Sequence, residues 1–208
     1  MGKNSKKLKQ KIKRNARISR YVIYKETLID GREQFWSFIG SFVGIGLIAL
    51  SQSFSMSQLE NIFLIGSFGA SSVLIYGAIQ SPLAQPRNLI GGHLVSAIVG
   101  VTVFKVVPDI LWITAPLAVA SSIVAMQITK TMHPPGGATA LIAVTGTAKI
   151  KELGYLYVLS PVLTGVIILF ITALIFNNLT QYRSYPTNTR LTRIFKLRKQ
   201  STKPSRET

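Results

Sequence analysis

The chain has 208 residues, 48% of them apolar, and its lack of cysteine excludes disulfides, thiol catalysis and thiolate metal sites. Twenty-four Lys and Arg against seven Asp and Glu leave a net charge of +17, with eleven of the basic residues in 1–32, eight in 181–208 and five between. Basic ends around a nearly uncharged middle exclude the nucleic-acid binder that a uniformly basic chain would suggest, and point to a membrane protein with cytoplasmic tails.

In the first tail, Leu8, Ile12, Ile18 and Val22 are scattered among Lys, Arg and polar residues. The pattern fits either a basic helix lying on anionic lipid or a solvated tail. The first apolar run begins near Phe35, late for a cleavable signal, and no small-residue cleavage pattern follows. With two serines in its first 25 residues, the tail is a poor organellar transit peptide.

Six apolar segments follow, at 35–50, 61–79, 88–107, 111–129, 135–147 and 155–176. About 20 residues cross a hydrocarbon core, so the second, third, fourth and sixth are full spans, and Trp36 can carry the shorter first to the interface. The fifth, 13 residues long, is either a half-helix buried by its neighbours or part of a helix broken at the prolines. The expected fold is an all-α polytopic transmembrane bundle of about six segments, with a basic tail at 1–32, a membrane domain at 33–180 and a second basic tail at 181–208. Keeping both tails cytoplasmic requires an even number of crossings. Six crossings put Arg87 and Lys130 inside and the charge-poor loop 51–60 outside, with Lys149 and Lys151 as a mild violation.

Small residues are dense, at Gly40-x-x-x-Gly44, Gly66-x-x-x-Ala70, Gly91-Gly92 and Gly136-Gly137. In lipid there is little hydrophobic force between helices, so such residues are expected to join them by close backbone approach. Ala70-Ser71-Ser72-Val73 is echoed by Ala120-Ser121-Ser122-Ile123, and the run from Gly91 to Ala97 by that from Gly136 to Ile142. Each repeat would be one span, a proline-containing break and a helix opening on glycines, an arrangement in which transporters hold substrate.

The break at 131–140 is the candidate working part. Irregular backbone at membrane depth survives only when buried in protein or lining a watery cavity. Pro134 and Pro135 suit the start of a helix, where the N–H groups they lack have no partner in any case. Gly136, Gly137 and Ala138 then present backbone N–H groups at the positive end of a helix dipole, a natural anion seat. Thr139 adds a hydroxyl, and His133 a donor or a titratable proton. The stretch 81–93 repeats the theme with Arg87, Gly91, Gly92 and His93, and Ser71 and Ser72 add hydroxyls. Together these make a polar, cation-leaning site without fixed negative charge, suited to a small anion. Each residue also has a structural reading: His133 and His93 as hydrogen-bonded packing residues, Arg87 as a topology determinant, the serines as helix-packing groups. Two histidines and few acids do not make a metal site, and no Ser-His-Asp or paired-carboxylate arrangement is legible, so neither a cofactor nor an enzyme is expected.

Through Gly66-Ser67-Phe68-Gly69-Ala70-Ser71-Ser72, Ser81-Pro82-Leu83-Ala84-Gln85-Pro86-Arg87-Asn88, Gly91-Gly92-His93 and His133-Pro134-Pro135-Gly136-Gly137-Ala138-Thr139-Ala140-Leu141, the chain resembles the HPP family of integral membrane proteins. Phe176-Asn177-Asn178-Leu179 and Tyr185-Pro186 resemble the family's end, so the likeness covers about 35–186 and leaves out the tails. The resemblance implies a small multi-span protein, and family members in cyanobacteria and chloroplast envelopes are associated with nitrite transport. The expectation is a transporter or channel-like facilitator of a small monovalent anion, nitrite first, in a cyanobacterial-type plasma membrane or a chloroplast inner envelope. His133, Gly136, Gly137, Ala138, Thr139, Arg87, Ser71, Ser72 and His93 would meet the substrate, with Pro134, Pro135, Gly91 and Gly92 shaping the break. A bundle this thin is expected to form a homo-oligomer, its tails on anionic lipid. The alternative is a non-transporting scaffold that binds lipid or an acidic partner through those tails.

Overall fold

The computed structural model describes residues 31–54, 58–180 and 183–187. The basic-tail expectations for 1–30 and 188–208 lie outside the described residues. The chain divides into Met1–Phe35, described only where the first helix opens, and Trp36–Thr208, which holds all the packing below. The described residues form α1 (Gly31–Ser53), α2 (Gln58–Ser72) with a π-helical continuation Val73–Gly77, a 3-10 corner Pro82–Ala84, α3 (Pro86–Val106), α4 (Leu111–Thr129), α5 (Pro134–Thr145), the short α6 (Ala148–Glu152), and a π-type turn Val158–Leu163 running into α7 (Thr164–Phe176). No strand occurs among them, and each expected apolar segment is helical, so the polytopic helical bundle stands.

Gly31–Ser53, Pro86–Val106, Leu111–Thr129 and Val158–Phe176 are long and apolar enough to cross a membrane. Large apolar side chains face outward all round the bundle, among them Phe38, Phe42, Trp112, Ile128 and Leu156, as lipid requires. α5 has 12 residues, a rise of about 18 Å against a hydrocarbon core of about 30 Å. It is the half-helix of the two expectations, and it begins at the prolines rather than being broken by them. The sixth segment, expected as one full span, is interrupted. Ser160 is extended, with φ −139° and ψ 121°, directly before Pro161; a proline removes a backbone donor and pushes the preceding residue out of the helical region.

A seam of small residues joins α3 to α5. Gly92, Ser96 and Gly100 recur every four residues, so they lie on one face of α3. A side chain on Gly100 would come within 2.6 Å of Ala140 O, and one on Gly136 within 2.7 Å of Ser96 Oγ and 2.9 Å of Gly92 O. A side chain on Gly92 would strike His133 Cβ and Thr131 O, and one on Gly91 would strike Thr131 Cγ2. The backbones therefore touch, as van der Waals joining in lipid demands. Gly40 and Gly44 also pack as expected, with the Tyr76 ring laid across both. Gly66-x-x-x-Ala70 does not: both residues are exposed and Gly66 faces open space.

The chain after α7 straps the end of the bundle. Asn177 Nδ2 donates to Ile75 O at 2.7 Å, and Asn178 both donates to Tyr185 O and accepts from Tyr185 N. Arg183, buried, donates to Tyr76 O and to Asn177 Oδ1, and the Tyr185 hydroxyl donates to Ala84 O at 2.8 Å. These bonds satisfy carbonyls that the π-helical run and the 3-10 corner leave without helical partners.

Candidate functional site

Three elements build one buried polar centre. Ser67 and Ser71 are four residues apart on α2 and so share a face. His93 stands one position beyond Gly92 on α3. His133 is the N-cap of α5, extended at φ −145° and ψ 102°, the conformation that a following proline favours. Thr139 lies on the buried side of α5. Ser71, His93 and His133 are fully buried, and Ser67 and Thr139 are 2% exposed.

Ser71 Oγ stands 2.7 Å from His93 Nε2 and 3.0 Å from His133 Nε2. His93 Nδ1 is 2.7 Å from Thr139 Oγ1, which is 2.8 Å from Ser67 Oγ. The ring centroids are 4.9 Å apart, and Phe68 closes the other side of His93 at 5.5 Å. One bond fixes the tautomer of the neutral His133 ring. His133 Nδ1 lies 2.8 Å from Leu83 O, and a carbonyl only accepts, so Nδ1 carries the proton and Nε2 of the neutral ring accepts. The one Ser71 hydroxyl proton has His133 Nε2 at 3.0 Å and Ser67 O at 3.2 Å as acceptors, and when it goes to His133 the Ser71 oxygen accepts from His93 Nε2–H. His93 Nδ1 is then an acceptor, filled by the Thr139 hydroxyl, while the one Ser67 hydroxyl proton has both Pro135 O at 3.0 Å and Thr139 Oγ1 at 2.8 Å within reach. The His133 tautomer follows from its bond to the Leu83 carbonyl.

The break itself is held by its carbonyls. Asn88 Nδ2 donates to Met132 O at 2.7 Å and Arg87 Nη2 to Thr129 O at 3.0 Å. Lys130 closes α4 in the left-handed conformation, φ 56° and ψ 42°. Tyr157 donates to Thr139 O at 3.0 Å.

Of the residues expected at the site, His133, His93, Thr139 and Ser71 come together. Gly136 adjoins them, pressed against Ser96 and Gly92, with its N–H donating to His133 O at 2.8 Å. It is there to let α3 approach. Gly137 faces Val119 of α4 at 3.9 Å, and Gly137 and Ala138 are half-buried. Pro134 and Pro135 open α5 as its first residues. Arg87 does not join: it is exposed and spent on the Thr129 carbonyl. Ser72 points elsewhere, into a groove of about 570 Å³ lined by Ser37, Phe42, Tyr76 and Gly77. A helix turns 100° per residue, so adjacent serines cannot face one site.

The sequence reading missed Ser96. Its hydroxyl is fully buried beside Gly136 at the start of α5 and has no hydrogen-bond partner among the described residues. Such a group costs about 1–3 kcal/mol. Its signal was the four-residue spacing Gly92, Ser96, Gly100. Ser67 was legible as the residue one turn before Ser71. The Leu83 carbonyl had no signal, since any residue supplies one. Among the described residues no cluster of three metal-ligating side chains occurs.

A family model described as HPP, transmembrane region, matches residues 26–186. Two transmembrane proteins of Dictyostelium discoideum are 48% and 44% identical over 160 residues, which cover 76% of this chain and 51% and 56% of theirs. The chain thus spans about half the length of the curated relatives it matches. No solved structure matches it.

Proposed function

Since the chain belongs to the HPP transmembrane family, we propose that its buried polar centre carries a small monovalent anion across the membrane, nitrite first. The observation that carries this reading is Ser96, a buried hydroxyl with no hydrogen-bond partner among the described residues, at the N-terminal end of α5. A polar group inside a membrane bundle is expensive and marks a substrate path. The helix end offers partial positive charge and Ser96 an unused donor, beside a polar centre whose own donors are taken up within it. No carboxylate lies on α3, α4, α5 or α7, so nothing there repels an anion. Nitrite has one charge and two acceptor oxygens, which a few neutral donors and one helix end can satisfy without a grip too tight for release.

The test is flux in proteoliposomes. Nitrite uptake should exceed that of protein-free vesicles, and Ser96→Ala and Thr139→Val should lower it in proteins that remain monodisperse. No uptake of nitrite, nitrate, formate, bicarbonate or chloride would overturn the transport reading. Uptake of another of these anions in place of nitrite would reassign the substrate.

A further inference from the structure

We infer that the groove beside α1 is a binding site for one anionic phospholipid, its acyl chain laid along α2, its ester carbonyl on Ser72 and its headgroup at the basic end of the bundle. The site is separate from the buried polar centre and stands apart from the transport reading.

The groove has the shape of a track for one chain. Phe38, Phe42 and Ile45 of α1 form one wall. The other wall is α2 with its π-helical continuation, a rare geometry that recurs at functional sites. Gly69, Val73 and Gly77 line it, and Gly66 continues the same face at a spacing of three or four residues. A side chain added at Gly66, Gly69 or Gly77 meets nothing within 4 Å. Small residues in lipid normally bring a neighbouring helix close, and no described residue has taken that place here. By helical rise, Gly77 to Gly66 is about 16 Å. That is close to half of a hydrocarbon core of about 30 Å, so the track serves one leaflet, whereas a crossing helix would need both. Its volume of about 570 Å³ falls within the range of about 300–1,000 Å³ typical of small-ligand sites.

Ser72 sets where the head of the chain sits. It lines the groove, is 5% exposed, and its hydroxyl has no hydrogen-bond partner among the described residues. Ser37 and Ser41 line the groove too, but their protons go to Tyr76 O at 2.7 Å and Phe38 O at 3.1 Å. Ser72 is therefore the one of the three with an unused donor, at a depth where no water replaces the partner. A phospholipid ester carbonyl accepts and carries no proton of its own, so it completes this hydroxyl.

Charge separates a lipid from a second copy of the chain as the occupant. Arg183, in the strap after α7, donates to Ser37 Oγ at 3.1 Å and to Tyr76 O at 2.6 Å, which puts the strap on the rim of the groove. From Ser37 the sequence leads back into 1–32, with eleven Lys and Arg, and from Arg183 onward through 181–208, with eight, against three Asp and Glu in the two stretches together. Basic segments beside a membrane span attract anionic headgroups. A second copy inserted in the same sense would bring the same positive stretches to the same rim, where like charges repel.

The experiment uses the full chain in detergent, titrated with dioleoylphosphatidylglycerol or dioleoylphosphatidylcholine and followed by native mass spectrometry and thermal melts. One phosphatidylglycerol should stay bound per chain and raise the melting midpoint, while phosphatidylcholine needs severalfold more lipid for the same shift. Gly69→Leu and Val73→Trp fill the track and should abolish both the bound lipid and the shift. Gly46→Leu, on the open side of α1 and outside the groove, should keep both. Ser72→Ala should weaken phosphatidylglycerol binding severalfold, and it decides the matter if a filling variant loses its cooperative melt. Unchanged binding by Ser72→Ala, or lipid retained by folded filling variants, would overturn the site. Equal binding of the two lipids would overturn the anionic headgroup. A lipid-free dimer that Gly69→Leu dissociates would give the track to a second copy instead.

Discussion

The α3–α5 seam and the attachment of α1 solve the same problem in different ways. Along the seam, Gly92, Ser96 and Gly100 meet Gly136 and Ala140 with backbone against backbone. At α1, Gly40 and Gly44 meet one large side chain, Tyr76, whose hydroxyl bonds Thr172 Oγ1 at 2.6 Å, and a wide groove stays open beside it. Backbone contact fixes position closely and leaves no room for a side chain at Gly92, Gly100 or Gly136. A ring lying on glycines can shift. The contrast explains why the exacting hydrogen-bond chain sits against the seam, where its donors and acceptors are held in register, and why α1 is free to be a peripheral helix.

The sharpest way to break the contrast is Gly100→Leu, whose side chain would have to displace the Ala140 backbone. It should cost about 3 kcal/mol or more, seen as loss of a cooperative melt in detergent, whereas Gly46→Leu on the open side of α1 should change little. Next in size is Ser71→Ala. It leaves both imidazole Nε2 atoms short of a partner and should cost about 2 kcal/mol, read as a lowered unfolding midpoint. Tyr76→Phe removes one hydroxyl bond on the α1 side, so a loss of about 1 kcal/mol is expected, with uptake unchanged. The smallest pair separates a structural hydroxyl from a working one. Ser72→Ala and Ser96→Ala each delete a buried hydroxyl without a hydrogen-bond partner among the described residues, and both should stabilise by about 1 kcal/mol. Only Ser96→Ala should lower anion flux. Equal effects of the two on flux would remove Ser96 from the substrate path.

The helices were legible because lipid permits little else: apolar runs of span length, bounded by prolines and basic residues, have few alternatives. The short α5 was legible from Pro134 and Pro135. Pro161 carried the same signal inside the last segment but was masked by the apolar residues around it. At the centre, His133 and Thr139 were legible as polar residues on a break. The choice of Ser71 over Ser72 was not, since it depends on the rotation of α2 about its axis, which only the packing of Phe68 against Gly165 and His93 fixes. Arg87 looked like a ligand because sequence shows a charge near a break but not the carbonyl that claims it. Glycines were read as packing residues in general, and Gly66 shows the limit: a small residue permits contact without guaranteeing a neighbour.

The 3-10 corner Pro82–Ala84 has two adjacent carbonyls with separate tasks. Leu83 O holds the His133 ring, and Ala84 O receives the Tyr185 hydroxyl from the chain after α7. Thr187 N also reaches Gln85 Oε1 at 2.9 Å. For anyone shortening or tagging this protein, residues 183–187 therefore belong with the bundle. A cut at residue 180 would unfasten the corner one residue away from the carbonyl that orients His133.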